Sequence, residues 1–210
     1  MRKSSADFDN WYRSHPDYYS RPSDGLIKCI EDYQIDPCNA LDLGCGQGRN
    51  ALWLASKGFQ VVAVDNSSVA IQTLKRAAEA QGLRIDAQLA DIHSFHFGSR
   101  RFGLEVILTT LNHLEPDYVP SCCDKIVESL ANGGIVYCVS FTTEDPGFKG
   151  DSEKSSECTH FVKHYFSPGE LGQLFSNIEI LEYREYIKLD DSHGAIHYHG
   201  KVKLVGRKHD

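Results

Sequence analysis

The stretch Ala40-Leu41-Asp42-Leu43-Gly44-Cys45-Gly46-Gln47-Gly48-Arg49-Asn50 decides the fold of this 210-residue chain. The pattern predicts an apolar strand that ends at Leu43, three glycines at alternate positions, and a helix that begins near Asn50. Glycine accepts positive φ and lets a ligand approach the backbone, while helix-start N–H groups attract an electronegative group. A second predicted strand ends in Asp65, whose carboxylate can accept hydrogen bonds from a ribose. This order of strand, glycine bend, helix, strand and acid is typical of a nucleoside-cofactor site.

The glycine spacing argues against a dinucleotide. Dinucleotide sites use G-x-G-x-x-G, whose third glycine lets the helix pack close to the strand. Here Gly44, Gly46 and Gly48 form G-x-G-x-G, and Asp42 stands just before the first glycine. A carboxylate there would repel a pyrophosphate and would attract an ammonium group. An NAD-linked oxidoreductase is therefore a disfavoured alternative.

This arrangement resembles the first motif of the class I methyltransferases that use S-adenosylmethionine. The resemblance implies that the glycines surround the methionine part, that Asp42 pairs with its ammonium through a water or backbone bridge, and that Asp65 holds the ribose. Asp91 and Ile92 match the pair that holds the adenine. The predicted cofactor is S-adenosyl-L-methionine. The predicted cofactor-binding residues are Asp42, Gly44, Cys45, Gly46, Gly48, Asn50, Asp65, Asn66, Asp91, Ile92 and Thr109.

Strands and helices alternate along the rest of the chain, which predicts a parallel sheet with helices on both faces. Strands are predicted at 39–43, 60–64, 84–89, 104–109, 134–141, 178–183 and 201–207, and helices at 23–33, 48–57, 67–81, 118–130 and from Ser167. The last two strands are joined by a loop rather than a helix, so they should pair antiparallel. The resemblance then implies an α/β, Rossmann-like, doubly wound sheet of order 3-2-1-4-5-7-6 with strand 7 antiparallel.

Length predicts one domain spanning residues 1–210. Residues 1–35 are predicted to pack on the sheet or to close over the cofactor, through the aromatic side chains Trp11, Tyr12, Tyr18 and Tyr19. The polar stretch 142–165 is too long to be an idle connection, which predicts an active-site loop. We predict a monomer or homodimer.

Composition restricts the partners and the compartment. A net charge of −7 argues against nucleic acid as substrate, which requires a basic face. The apolar runs are only of strand length, and no secretory signal is evident, so no membrane segment is predicted. The seven cysteines show no metal-ligand spacing and are predicted to be reduced thiols, so we expect a cytoplasmic protein.

Histidines should gather near the carboxyl ends of the strands, because the reversed final strand begins at that edge. The predicted group consists of His113, His160, His164, His193, His197 and His199. They allow three interpretations: satisfied or exposed side chains, a metal site, or a polar pocket for an anionic or soft nucleophile. No cysteine or acid pattern supports a metal, so the polar pocket is favoured and no metal is predicted. The predicted catalytic, acceptor-side residues are Asn112, His113, His193, His197 and His199.

Beyond the cofactor motifs, the chain resembles the tellurite-resistance branch of these methyltransferases. The resemblance rests on 41–50, on Gly58-Phe59-Gln60-Val61 and on the ending 194–208. It implies a chalcogen oxyanion such as tellurite or selenite as the acceptor, with Arg184 and the late histidines near it. Glu105 departs from the aspartate usual in the fourth strand. An organic thiol, amine or hydroxyl acceptor, or a catalytically silent module that binds the cofactor, remain alternatives.

Overall fold

The computed structural model describes residues 5–16, 21–151, 153–156, 160–190 and 196–209. The strands are β1 (Asn39–Leu43), β2 (Gln60–Asp65), β3 (Ile85–Leu89), β4 (Phe102–Leu108), β5 (Leu130–Phe141), β6 (Glu179–Asp190) and β7 (His197–Arg207). The α-helices are α1 (Ser5–Ser14), α2 (Asp24–Asp32), α3 (Arg49–Ser56), α4 (Ser68–Ala80), α5 (Val119–Ser129), α6 (Pro146–Lys149) and α7 (Glu170–Leu174). The chain divides into two compact units, residues 1–106 and 107–210.

The seven strands have the order β3-β2-β1-β4-β5-β7-β6. In the first unit, β1 pairs in parallel with both β2 and β4, and β2 pairs in parallel with β3. In the second unit, β7 runs antiparallel to both β5 and β6. The predicted strand order and the reversed last strand are therefore confirmed.

The first unit is built around nearly continuous apolar strands. β1 and β2 are buried along almost their whole length, as expected for strands with neighbours on both edges. Helices α3 and α4 pack against these strands. Their core side chains include Leu54 and Leu74, both fully buried.

Helix α1 was not predicted, because its sequence shows no clean apolar period. It packs against α4. The side chain of Asp9 accepts hydrogen bonds from the Ser67 hydroxyl (2.6 Å), the Ser68 hydroxyl (2.9 Å) and the Val69 N–H (3.1 Å). These groups lie at the start of α4, so a side chain from another helix caps it together with the Ser67 hydroxyl, which accepts from Ala70 N–H. The predicted contacts of Tyr18 and Tyr19 lie outside the described residues.

In the second unit, α5 agrees with the predicted helix 118–130 to within one residue at each end, whereas β5 begins at Leu130 instead of residue 134. The helix ends at Ser129, because Leu130 adopts extended backbone (φ −61°, ψ 138°). Gly133 N–H donates to Lys208 O and Lys208 N–H donates to Gly134 O, each at 2.9 Å, so this run pairs like a strand. The Lys208 ammonium donates to the carbonyls of Val127 (2.8 Å) and Leu130 (2.9 Å), which satisfies the end of the helix.

Two other predicted boundaries in this unit need correction. β6 and β7 form a longer hairpin than 178–183 and 201–207, and the pairing continues to Asp190 opposite His197. Its outer part lacks an apolar run, because β6 is largely exposed there. Helix α7 begins at Glu170 rather than after Ser167, with Gly169 at the N-cap (φ 79°). None of the helices in the described part of the chain is long and apolar enough to cross a membrane.

Candidate functional site

The glycine bend after β1 is tied to the end of β2. The N–H groups of Gly44 and Cys45 both donate to the carbonyl of Val64, at 2.8 and 3.0 Å. Gly46 has φ +54°, and a Cβ there would lie only 2.8 Å from the Tyr12 hydroxyl oxygen. Gly48 has φ +90°, and a Cβ there would collide with Leu74. The bend therefore requires glycine both for its backbone and for space.

Asp65 holds the bend from the end of β2. One carboxylate oxygen accepts the Gly46 N–H and the other accepts the Ser67 N–H, both at 2.8 Å. Burial raises the pKa of Asp65, although these backbone N–H groups oppose the shift. Since each carboxylate oxygen has a further lone pair, Asp65 can hold the bend and still accept ribose hydroxyls.

Asp42 is a buried carboxyl group in the strand below the bend. Its side chain is 2% exposed, and its Oδ2 atom has no hydrogen-bond partner among the residues that the structure describes. Burial raises the pKa of Asp42 to about 7, although the charge of Arg49 opposes this. A buried acceptor atom without a donor is costly. A cationic ligand group, such as the ammonium of S-adenosylmethionine, would supply the missing charge, so the residues present fit this cofactor.

Tyr12, on α1, is a residue of this region that sequence reasoning did not assign to the cofactor site. Its hydroxyl oxygen lies over Gly46, and the Asp9 contacts with α4 hold the helix there. The aromatic residues of the segment were noticed, but no period showed which of them would face the bend. Helix α1 packs against α4, so the predicted packing of this segment on the sheet and its closing over a cofactor both stay predictions.

The remaining predicted cofactor residues differ in their surroundings. Asn50 is buried and its Oδ1 accepts the Ser23 N–H (2.9 Å), so it joins the start of α2 to α3. Asp91 is 56% exposed, and its Oδ1 accepts the His93 N–H (2.8 Å). Ile92 and Asn66 are half-buried, and Cys45 is a buried thiol whose pKa burial raises. In the second unit, Thr109 has φ +55°, a conformation uncommon for a residue with a side chain.

Asn112 and His113 follow β4 in the second unit. Asn112 is fully buried; its amide donates to the carbonyls of Phe141 (3.2 Å) and His164 (2.7 Å), and its oxygen accepts the Phe141 N–H (2.9 Å). The side chain therefore joins three chain segments. His113 Nδ1 lies 3.1 Å from the Phe161 carbonyl, so this nitrogen carries the proton. Burial lowers the pKa of His113, which keeps the ring neutral at pH 7.

The structure brings His197 and His199 together on β7, with their Nε2 atoms 3.0 Å apart. His199 Nδ1 lies 3.0 Å from an oxygen of Asp145, in the 142–165 loop, and the same oxygen accepts the Gly200 N–H (3.1 Å). Asp145 is 2% exposed, so this carboxyl group is buried beside the imidazole. Burial lowers the pKa of His199, although Asp145 opposes the shift. The predicted site residue His193 lies outside the described residues.

Other members of the predicted histidine group are separate from this pair. His164 Nε2 lies 2.7 Å from a carboxylate oxygen of Glu170, and His160 is exposed. Arg184 lies near the Tyr186 ring, 5.4 Å from its centroid. Asp145 and Asp190, which lie beside the histidines of β7, were missed, because only the fold brings them there.

The chain has the fold of the class I S-adenosylmethionine-dependent methyltransferases, which is defined by this strand order, the reversed last strand and the glycine bend after β1. The family model "Tellurite resistance protein TehB" matches residues 25–204. The chain belongs to this family. The family resemblance inferred from the sequence is therefore confirmed.

Individual relatives agree with this assignment. The "Probable S-adenosyl-L-methionine-dependent methyltransferase TehB" of Haemophilus influenzae is 30% identical over 151 residues, 72% of this chain and 49% of the relative. The crystal structure of TehB from the same organism superimposes with a TM-score of 0.76 at 23% identity, covering 96% of this chain and 67% of that one. The 2-heptyl-1-hydroxyquinolin-4(1H)-one methyltransferase of Mycobacteroides abscessus is 36% identical over 120 residues, 57% of this chain and 52% of the relative. The chain thus spans about half the length of these two curated relatives.

Proposed function

We propose that this protein transfers the methyl group of S-adenosylmethionine to a small molecule. The observation that carries the proposal is Asp42, a buried acid beneath a glycine bend that Asp65 holds in place; one of its oxygens has no hydrogen-bond partner in the described part of the chain. A full positive charge on the ligand would offset the cost of that buried carboxylate. Family membership supports the same cofactor.

The proposed division of roles follows the surroundings of each side chain. Asp42 attracts the ammonium of the methionine part, and the bend lets that part approach the backbone at Gly44 and Gly46. Asp65 accepts the ribose hydroxyls with its remaining lone pairs, and Asp91 with Ile92 holds the adenine. The chain therefore orients the cofactor and excludes water, which is most of what methyl transfer requires.

For the acceptor, we propose a chalcogen oxyanion such as tellurite or selenite. The description of the matched family supports this class. A lone pair on the chalcogen would form the new bond to the methyl carbon, while the carbon–sulfur bond breaks and its electron pair stays on sulfur. This step needs no general base, because the attacking atom carries no proton.

An organic hydroxyl acceptor is a second candidate, favoured by one observation. Asp145, His199 and His197 form a chain with two contacts of 3.0 Å. Such a chain can remove a proton from an acceptor, as a hydroxyl would require before attack. The relative from M. abscessus is named for a hydroxyquinolone substrate.

The experiment begins with binding and continues to turnover. S-adenosylhomocysteine and S-adenosylmethionine are titrated calorimetrically into the full chain, and the Asp65→Ala variant is compared with Asp86→Ala, an exposed acid on β3. We expect Asp65→Ala to weaken binding by about 1–3 kcal/mol, the cost of unpaired polar groups, and Asp86→Ala to bind normally. Release of S-adenosylhomocysteine is then measured with tellurite, selenite, and small thiols, amines and phenols.

Each outcome decides between the candidates. Turnover with tellurite or selenite supports the full proposal. Turnover with organic acceptors alone supports methyl transfer and refutes an oxyanion as the acceptor. Binding without turnover of any acceptor favours the silent module, and an absence of cofactor binding refutes the proposal as a whole.

A further inference from the structure

One end of the β6–β7 hairpin gathers three metal-ligating side chains on one face. Asp190 is the register partner of His197, and His199 follows two residues later on the same face of β7. All three are buried, with 6%, 5% and 4% exposure respectively. Carboxylates and imidazoles that are buried in a protein are usually paired with other polar groups or bound to a metal.

The distances among these groups fit a single ion. One candidate ligand atom from each residue lies within 4.8 Å of the other two. The Nε2 atoms of His197 and His199 are 3.0 Å apart, and two nitrogen lone pairs at that separation repel unless a proton or a cation lies between them. Nitrogens bound to one tetrahedral zinc ion at about 2.0–2.1 Å lie roughly 3.3 Å apart, so a movement of a few tenths of an ångström would complete the geometry.

A second shell orients the histidine that stands between the other groups. Because a carboxylate can only accept, the contact of 3.0 Å with Asp145 requires His199 Nδ1 to donate. This tautomer turns the lone pair of Nε2 toward His197. Asp145 is itself fixed by the N–H groups of Gly147 (2.8 Å) and Gly200 (3.1 Å), and Phe141 stacks on the imidazole with ring centroids 4.5 Å apart. A carboxylate–histidine–metal arrangement is the usual support of such ligands.

We propose that His197 Nε2, His199 Nε2 and a carboxylate oxygen of Asp190 bind a divalent transition-metal ion of the zinc class. Two imidazole nitrogens and one carboxylate oxygen favour zinc and its neighbours over magnesium or calcium. Three protein ligands leave a coordination position for water or a small anion. The site does not depend on the cofactor proposal, but an ion bound to both Nε2 atoms would exclude the proton-accepting role of His197 and His199 toward an organic hydroxyl. The sequence did not predict the site, because Asp190 had no recognisable spacing from the histidines.

Lys201 limits the affinity of this site. Its ammonium lies 3.1 Å from Asp190 Oδ2 and competes with a cation for that carboxylate. Among the described residues, the charged groups that contact these side chains include Asp145 and Lys201. Removing the lysine charge should therefore strengthen metal binding. If the two histidines only share a hydrogen bond and hold no metal, the same change should not alter metal affinity.

The test uses the full chain after removal of metals with a chelator. Zn²⁺ is titrated with a competing indicator, and Co²⁺ is added separately to record visible absorption. We expect one ion per chain and intense Co²⁺ bands of low coordination number. His197→Gln and His199→Gln should abolish this binding, and His96→Gln, a change of an exposed histidine, should leave it intact.

Two further variants keep the test decisive if a histidine variant fails to fold. Asp145→Asn should weaken Zn²⁺ binding about ten- to hundred-fold through the second shell. Lys201→Gln should bind Zn²⁺ more tightly than the unaltered chain. The proposal would be overturned if the unaltered chain does not bind Zn²⁺, or if all these variants bind it equally. The contact between the two histidines would then be explained by a shared proton.

Discussion

Replacing Asp42 with asparagine should change the pH dependence of stability. Burial raises the pKa of Asp42 from 3.8 to about 7, so the folded protein holds a proton that the unfolded chain releases at lower pH. The contribution of this group is fully present below pH 4 and is lost as the pH rises toward 7. At about 1.36 kcal/mol per pKa unit, the complete loss in the free energy of unfolding is about 4 kcal/mol.

The assay is urea unfolding of the protein without cofactor, between pH 4.5 and 8. We expect the unaltered chain to lose stability relative to Asp42→Asn as the pH rises, by about 3 kcal/mol across this window. Asp124→Asn, a change on the exposed side of α5, serves as the control and should follow the unaltered chain. Parallel curves for Asp42→Asn and the unaltered chain would refute the argument, because they would show that Asp42 is already ionised at low pH.

Three other changes test local contacts. Asp9→Ala removes the acceptor of three hydrogen bonds at the start of α4 and should cost about 1–2 kcal/mol in urea unfolding; an unchanged midpoint would contradict this cap. Asn112→Ala removes three hydrogen bonds to half-buried backbone groups of Phe141 and His164. The Phe141 carbonyl keeps the Phe166 N–H (2.9 Å), so the change should cost about 2–4 kcal/mol, and a loss below about 1 kcal/mol would show that these hydrogen bonds contribute little. Gly48→Ala should cost about 2 kcal/mol or more in thermal unfolding from positive φ and collision with Leu74. Addition of Leu74→Ala should then cost less than it does in the unaltered chain, and strict additivity would count against the collision.

The first unit was largely predictable because its signals are local. Continuous apolar strands such as Val61–Val64 are required where a strand has neighbours on both edges, and glycine is required where φ is positive. Both requirements appear directly in the sequence. The glycine bend and its two acids, Asp42 and Asp65, could therefore be located without a structure.

The features that were missed depend on contacts between distant residues. Nothing near Asp9 shows that it caps a helix some sixty residues later, and nothing near Asp145 shows that it lies against His199. The outer part of the β6–β7 hairpin is held by pairing rather than by an apolar pattern. Such residues become recognisable only when the topology is known.

The most direct test of the central claim is a crystal structure of the protein soaked or grown with S-adenosylmethionine. The account predicts cofactor density over the bend at residues 44–48, with the ribose hydroxyls within hydrogen-bond distance of Asp65 and the ammonium nearest Asp42. Density at another position, or an empty bend in crystals at saturating cofactor, would contradict it.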